Sequence, residues 1–197
     1  MATIEDVKSL IENVEDDIAA SKTVVEHSDE YTPTLAFYKN SQDRSIIASV
    51  SNGKDLSETL QNICEALYLY VYTDSYACVL SMTSNIIIDD KSYNALMLYV
   101  LNPNSAWIIT IPYDKQDDVT WYNDLMEITP VDEQEFDDQG KDMITSLYVY
   151  VQNIVPSNMF SIEDIFSYLS TTNAAIKIVD ETSYSYFDFS AESSMMV

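Results

Sequence analysis

Carboxylates are the side chains of this chain with the most chemistry to offer. Eleven Asp and Glu residues lie between Asp114 and Asp142, among them Asp117, Asp118, Asp132, Glu133, Glu135, Asp137 and Asp138, opposed by Lys115 and Lys141 alone. Such a run attracts a cation or a basic protein. Calcium is the sharpest chemical reading: with Gly140 at the sixth position of an EF-hand loop, Glu135, Asp137 and Gln139 take the first, third and fifth. The twelfth is Ser146, where a bidentate carboxylate must complete the coordination, so the match fails. A solvated acidic loop is the plain expectation. A carboxylate-based or divalent-metal hydrolase would need two or three of Asp74, Asp89, Asp90 and Asp114 to converge in a cleft. Scattering is expected instead, because acids this abundant single out no pair.

Nucleophilic chemistry is equally poorly supplied. The one histidine, His27, sits at a predicted helix end, where the helix dipole favours a cationic ring and accounts for the residue without catalysis. Cys64 and Cys78 fall beside apolar residues, one on a predicted helix and one inside a predicted strand, and read as small reduced core residues. Two cysteines and one histidine cannot by themselves form an ordinary four-ligand zinc site. Two glycines, Gly53 and Gly140, cannot furnish a Walker A or dinucleotide-binding loop. No catalytic residue, metal ligand or cofactor is assigned.

Recognition fits the composition better. Thirty-three acids against nine lysines and arginines give a net charge of −24, which repels phosphates and opposes direct nucleic-acid or anionic-membrane binding. Along the first helix, six carboxylates fall between Glu5 and Asp17. At a rise of ~1.5 Å per residue this is about one charge per 3 Å, close to the ~3.4 Å phosphate spacing of one DNA strand. Glu5, Glu12, Glu15 and Asp16 are therefore candidate partner-binding residues, either as a nucleic-acid mimic or as an ordinary exposed helix face. Fifteen tyrosines add interface-forming material, including Tyr68, Tyr70 and Tyr72 and the pair Tyr148 and Tyr150. In the C-terminal segment 180–197, Tyr184, Tyr186, Phe187 and Phe189 alternate with serine and acid. They could dock on a partner, close the sheet as a last strand, or form a disordered tail.

The elements that must position these groups follow from periodicity. Ile4, Val7, Ile11, Val14, Ile18 and Val25 predict a helix over residues 3–28. Two strands follow, 34–40 and 45–51, joined by Ser41-Gln42-Asp43-Arg44, and Asp55 with Glu58 opens a second helix reaching about Tyr72. A meander of three strands, 76–88, 93–101 and 106–113, turns at Asp89-Asp90-Lys91-Ser92 and at Asn102-Pro103-Asn104-Ser105. Apolar residues on both parities of 95–101 and 107–111 predict central strands covered on both faces. Residues 119–128 suit a strand or a short helix, 130–139 an exposed loop, and 141–155 a helix or a strand. A last helix runs through Leu169, and 174–179 adds an edge strand.

The expected fold is α+β: a mainly antiparallel sheet of five to six strands with flanking helices, in the order α-β-β-α-β-β-β-α. Roadblock, longin, profilin and GAF-type domains share versions of that order. The likeness is one of element order, and no motif of those families is present. A single domain over 1–179 with an acidic-aromatic tail over 180–197 is expected. No window approaches the ~18 apolar residues of a spanning helix, and the first residues lack a secretory leader pattern, so a cytoplasmic protein is expected. Eight lysines to one arginine suggest an AT-rich genome such as many phages have.

The function expected is non-enzymatic: an acidic interaction or modulator protein that binds a protein partner, with a basic one favoured by charge, and a viral host-factor inhibitor as its narrower form. The alternatives are a small-molecule-sensing domain with an aromatic-lined pocket and the carboxylate or divalent-metal hydrolase above.

Overall fold

The computed structural model describes residues 4–39, 44–67, 69, 75, 77–102, 105–116, 118–130, 167, 169, 176–181 and 185–188, with side chains of the first helix described from Val14 onward. Helix α1 spans Ile4–His27, and strands β1 (Thr34–Tyr38) and β2 (Arg44–Val50) follow. Helix α2 (Leu56–Ala66) precedes β3 (Ala77–Ile88), β4 (Lys91–Asn102) and β5 (Ser105–Lys115). Beyond these lie β6 (Val119–Trp121), a 3-10 turn at Asn123–Leu125, β7 (Glu127–Pro130), β8 (Ile176–Asp180) and β9 (Ser185–Asp188).

All nine strands join one sheet in the order β6-β5-β4-β3-β1-β2-β8-β9, with β7 pairing the same edge of β5 as β6 does, further toward the start of β5. Every pairing is antiparallel. The mainly antiparallel α+β expectation holds at that level. The five- to six-stranded size does not, and the element order departs from the expected one after β5. The cause is at the two sides: β6 and β7 fold back on β5, and β8 with β9 extends the sheet beyond β2. Where an edge strand over 174–179 was expected, β8 is an internal strand, because β9 covers its outer side. Residues 131–166 lie outside the described set, so the expectations for 130–139 beyond Pro130 and for 141–155 are not addressed; of the last helix, Ser167 and Leu169 are helical.

Strand alternation divides the core in two. Leu35 and Phe37 of β1 point to the α2 side with Ile46, Ile63, Leu80, Leu101 and Leu169, whereas Ala36 and Tyr38 point to the α1 side with Val14, Val79, Leu98 and Ile111. The sheet is thus covered on both faces, as the two-parity apolar pattern of the central strands requires. In α1, Val14 and Val25 are buried and Ile18 is half-buried, as the helical stripe predicts. Strands β2 and β3 both run antiparallel to β1, so α2 is the crossover that carries the chain over β1 between two parallel strands.

Local chemistry fixes where α2 begins. The Asp55 side chain accepts from the Glu58 N–H at 2.9 Å, and the Glu58 carboxylate in turn accepts from the Lys54 N–H at 2.8 Å. Gly53 lies against this first turn, its N–H donating to Thr59 Oγ1 at 2.8 Å. A methyl group there would stand 2.5 Å from Glu58 Cβ and 2.6 Å from the Thr59 backbone nitrogen, and the backbone cannot yield cheaply. Gly53→Ala is expected to destabilise the fold by about 1–3 kcal/mol, read as a lower urea midpoint with an unchanged slope.

The turn between β3 and β4 is tighter than expected. Asp89 and Asp90 alone form it, with φ of 49° and 61°, the left-handed geometry of a two-residue hairpin, and Lys91 and Ser92 already belong to β4. Because β1 pairs β3 only over Ala77–Ser81 and β5 pairs β4 only from Asn94, the end of this hairpin projects beyond the neighbouring strands. Ile87, 77% exposed, is carried on the projection.

Candidate functional site

The sole arginine of the chain, Arg44, organises the best-defined polar site. It was expected in a turn but opens β2. Plain alternation from Ile46, Ala48 and Val50, which face α2, would send Arg44 to the same side. A register shift between Phe37 and Tyr38 intervenes: Phe37 pairs Ile46, yet Tyr38 pairs Arg44. The extra residue, Ser45, is buried and its hydroxyl donates to the Phe37 carbonyl at 3.1 Å. This bulge reverses the facing of Arg44 and puts it beside Tyr38, on the α1 side.

There Arg44 Nη1 donates to Asp17 Oδ1 of α1 at 2.8 Å, while Nε and Nη2 grip both oxygens of Glu181 at 2.8 and 3.1 Å. The Tyr38 hydroxyl donates to the other Asp17 oxygen. One guanidinium therefore ties α1, the β1–β2 pair and the residue following β8. Asp17, with its side chain 7% exposed, has its carboxyl pushed above the usual range by burial, against the downward pull of the Tyr38 hydroxyl and of Arg44. Burial also drives the Tyr38 phenol up, and the Glu181 contact first of all holds Arg44 in its charged form. Next to this network a cavity of about 110 Å3 is lined by Asp17, Ser21, Tyr31, Arg44, Ile47 and Ser81 among others, with the Tyr31 hydroxyl donating to Ser21 Oγ at 2.9 Å.

A second cluster sits where the projecting hairpin meets the end of β5. The Lys91 ammonium lies 4.4 Å from the Tyr93 ring centre, 5.8 Å from that of Tyr122 and 4.0 Å from Asp114 Oδ2. The two rings meet edge to face, 5.4 Å apart at 77°, and the Tyr122 hydroxyl donates to Asp114 at 2.9 Å. That hydroxyl bond, first among the causes, raises the Tyr122 phenol, and contact with the Tyr93 side chain raises Lys91.

Two further lysines also make defined contacts within the fold. Lys115 Nζ donates to the Val25 carbonyl at 3.0 Å and to the Ser28 carbonyl, closing the C-terminal end of α1, with Asp29 3.9 Å away. Lys22 lies 4.8 Å from the Trp121 ring centre and donates to Asn123 Oδ1 at 2.6 Å, while Trp121 Nε1 donates to Glu26 at 2.8 Å.

The residues proposed from sequence are placed as follows. Glu5, Glu12, Glu15 and Asp16 all lie in α1; Glu15 and Asp16 are exposed, and the side chains of Glu5 and Glu12 lie outside the described set. Asp17, sixth in that acidic row, is withdrawn from it into the Arg44 network. Tyr186 and Phe187 lie in β9, with Tyr186 60% exposed and opposite Val179, and Tyr184 and Phe189 lie outside the described residues. Part of the C-terminal segment is therefore a last strand, the second of its three readings. Asp89 and Asp90 occupy the hairpin turn, Asp114 contacts Lys91 and Tyr122, and Asp74 lies outside the described set. Among the described residues no three of His, Cys, Asp and Glu gather in a way that could hold a metal ion.

His27 ends α1, exposed, with Nδ1 2.8 Å from the Thr23 carbonyl. Cys78 is fully buried and its thiol is pushed well up by desolvation, and Cys64 is shifted the same way. Tyr68, Tyr70, Tyr72, Tyr148 and Tyr150 lie outside the described residues. Sequence reasoning missed Asp17 and Arg44 as partners. The available signal was the singularity of Arg44 in a chain of eight lysines.

No protein-family model matches the chain, and neither the curated proteins nor the solved structures contain a significant match. Among the described residues no helix is long and apolar enough to cross a membrane.

Proposed function

We propose that this protein is a non-enzymatic interaction or modulator protein whose acidic surface binds a basic protein partner. The observation that carries the reading is the fate of the cations. Lys22, Arg44, Lys91 and Lys115, four of nine in the chain, are engaged in contacts within the fold. Among the described residues, the ion pairs engage only the acids Asp17, Asp29, Asp114 and Glu181. Glu15, Asp16, Glu30, Asp118, Asp124 and Glu127 are exposed. These exposed carboxylates are placed to attract a cationic surface and to speed its encounter.

Immobilised protein is expected to capture a basic protein from lysate at low salt and to release it at high salt. Glu15→Gln combined with Asp16→Asn should weaken that capture several-fold, chiefly through slower association. No specific capture at either salt would remove the reading. Nucleic-acid mimicry is its narrower form. It draws on Glu5, Glu12, Glu15 and Asp16 and competes with DNA for the same partner; a partner captured equally well when saturated with DNA would exclude it.

The cavity beside Asp17 favours a ligand-sensing role less. Its volume of about 110 Å3 falls below the ~300 Å3 at which small-molecule sites usually begin, and Tyr31 is the one aromatic among its described lining residues.

A further inference from the structure

We propose that the corner made by Tyr93, Tyr122 and Asp114 is a receptor for an alkylammonium group, the lysine side chain of a basic partner, and that Lys91 fills it as a displaceable internal stand-in. The inference deepens the partner reading above and rests on it for the source of the lysine.

The geometry already demonstrates that this corner accepts an ammonium ion, because it holds one. Two aromatic faces set at 77° meet around the Lys91 Nζ, each offering the negative face of its quadrupole, at 4.4 and 5.8 Å. The carboxylate that supplies the opposing charge is fixed in place: Asp114 accepts the Tyr122 hydroxyl at 2.9 Å and lies 4.0 Å from Nζ. The walls come from three separate stretches of backbone. Tyr93 is paired to Ile86 in the β3–β4 hairpin, Asp114 is paired to Thr120 in the β5–β6 pair, and Tyr122 is held by its N–H to the Pro112 carbonyl at 2.9 Å. The walls are thus each held by backbone pairing, and Lys91 sits between them.

Lys91 is suited to leaving. Its side chain is 58% exposed, so its hydrogen bond to Tyr93 and its 4.0 Å pairing with Asp114 are open to competition from water, and the turn carboxylates Asp89 and Asp90 stand next to it in the chain. The turn next to Lys91 lies beyond the paired stretches of β1 and β5, so the corner opens to solvent at the end of the hairpin. A partner lysine that takes the corner exchanges one ammonium for another, and the freed Lys91 returns to water.

The test compares the full chain with Lys91→Met, using a short peptide that carries one trimethyllysine and the same peptide with norleucine in its place. Binding is followed by NMR at the amides of Tyr93 and Tyr122. The charged peptide is expected to bind Lys91→Met at least tenfold more tightly than the unmodified chain, and the norleucine peptide to leave both unshifted. Adding Tyr122→Leu to Lys91→Met should abolish binding; Tyr93→Leu is the second variant should the first not fold by circular dichroism. Equal binding of both peptides, no gain in Lys91→Met, or binding that survives loss of either folded tyrosine variant overturns the site. The partner reading is separated by salt-sensitive capture. Capture undiminished in folded Tyr122→Leu overturns the corner as the docking point while the partner stands. Peptide binding with no captured partner supports the corner and removes only the proposed source of its lysine.

Discussion

Arg44→Met is expected to destabilise the protein by about 3 kcal/mol at neutral pH, the lower end of the cost of breaking a buried ion pair, because Arg44 is itself partly solvated. The loss is set by what remains. Glu181, a third exposed, can hydrate, but Asp17 keeps its charge in a site 7% exposed with only the Tyr38 hydroxyl to answer it. Acid should relieve the variant. Burial already raises the Asp17 carboxyl above its ordinary 3.8, and removing the guanidinium beside it must raise it further. An acid whose folded pKa lies above its unfolded one contributes fully below the unfolded value and loses that contribution as pH rises through the folded value. The deficit of Arg44→Met should therefore be largest near pH 7 and shrink as pH falls toward 4. Asp17→Asn in the same chain should recover most of it and flatten the pH dependence. Urea unfolding across that range checks both; an Arg44→Met chain as stable as the parent at pH 7, or no recovery with Asp17→Asn, would show that the pair does not carry this weight.

Phe37→Ala should cost about 3–5 kcal/mol, the usual penalty for emptying an aromatic site in a packed core. Phe37 is fully buried on β1, between Ile46 of β2 and Cys78 of β3, in the cluster that α2 closes. Against a total stability of about 5–15 kcal/mol this removes a third or more of what a typical domain has. Ile87→Ser is the contrasting change. Ile87 is also a large apolar strand residue, yet at 77% exposure its removal should move stability by less than ~0.5 kcal/mol. Denaturant midpoints of the two variants test the assignment directly, and a large loss in Ile87→Ser would mean that the hairpin end is packed against something.

The local elements were legible wherever a short-range pattern specifies them. The 3.6-residue stripe through Val14, Ile18 and Val25 marks α1, and Asp55 with Glu58 marks the start of α2 to the residue. Double-sided apolar strands announce a sheet covered twice. The size of the sheet was less legible. Strands β6 and β7 are three and four residues long, too short for alternation to show, and β8 with β9 owes its place to pairing with β2 across more than a hundred residues.

Of the candidate sites, composition alone determined the acid surplus, the scarcity of nucleophiles and the absence of glycine-rich phosphate loops, because those depend on counts and not on folding. Only the tertiary structure decided which charges face inward. Asp17 and Asp16 are adjacent in one helix, and a bulge at Ser45 sends the single arginine to the side where Asp17 waits. The same folding brings Tyr122 back to Tyr93 and Asp114. Pairing partners are set by register and crossover, which act between residues far apart in the chain, and no spacing along the sequence encodes them.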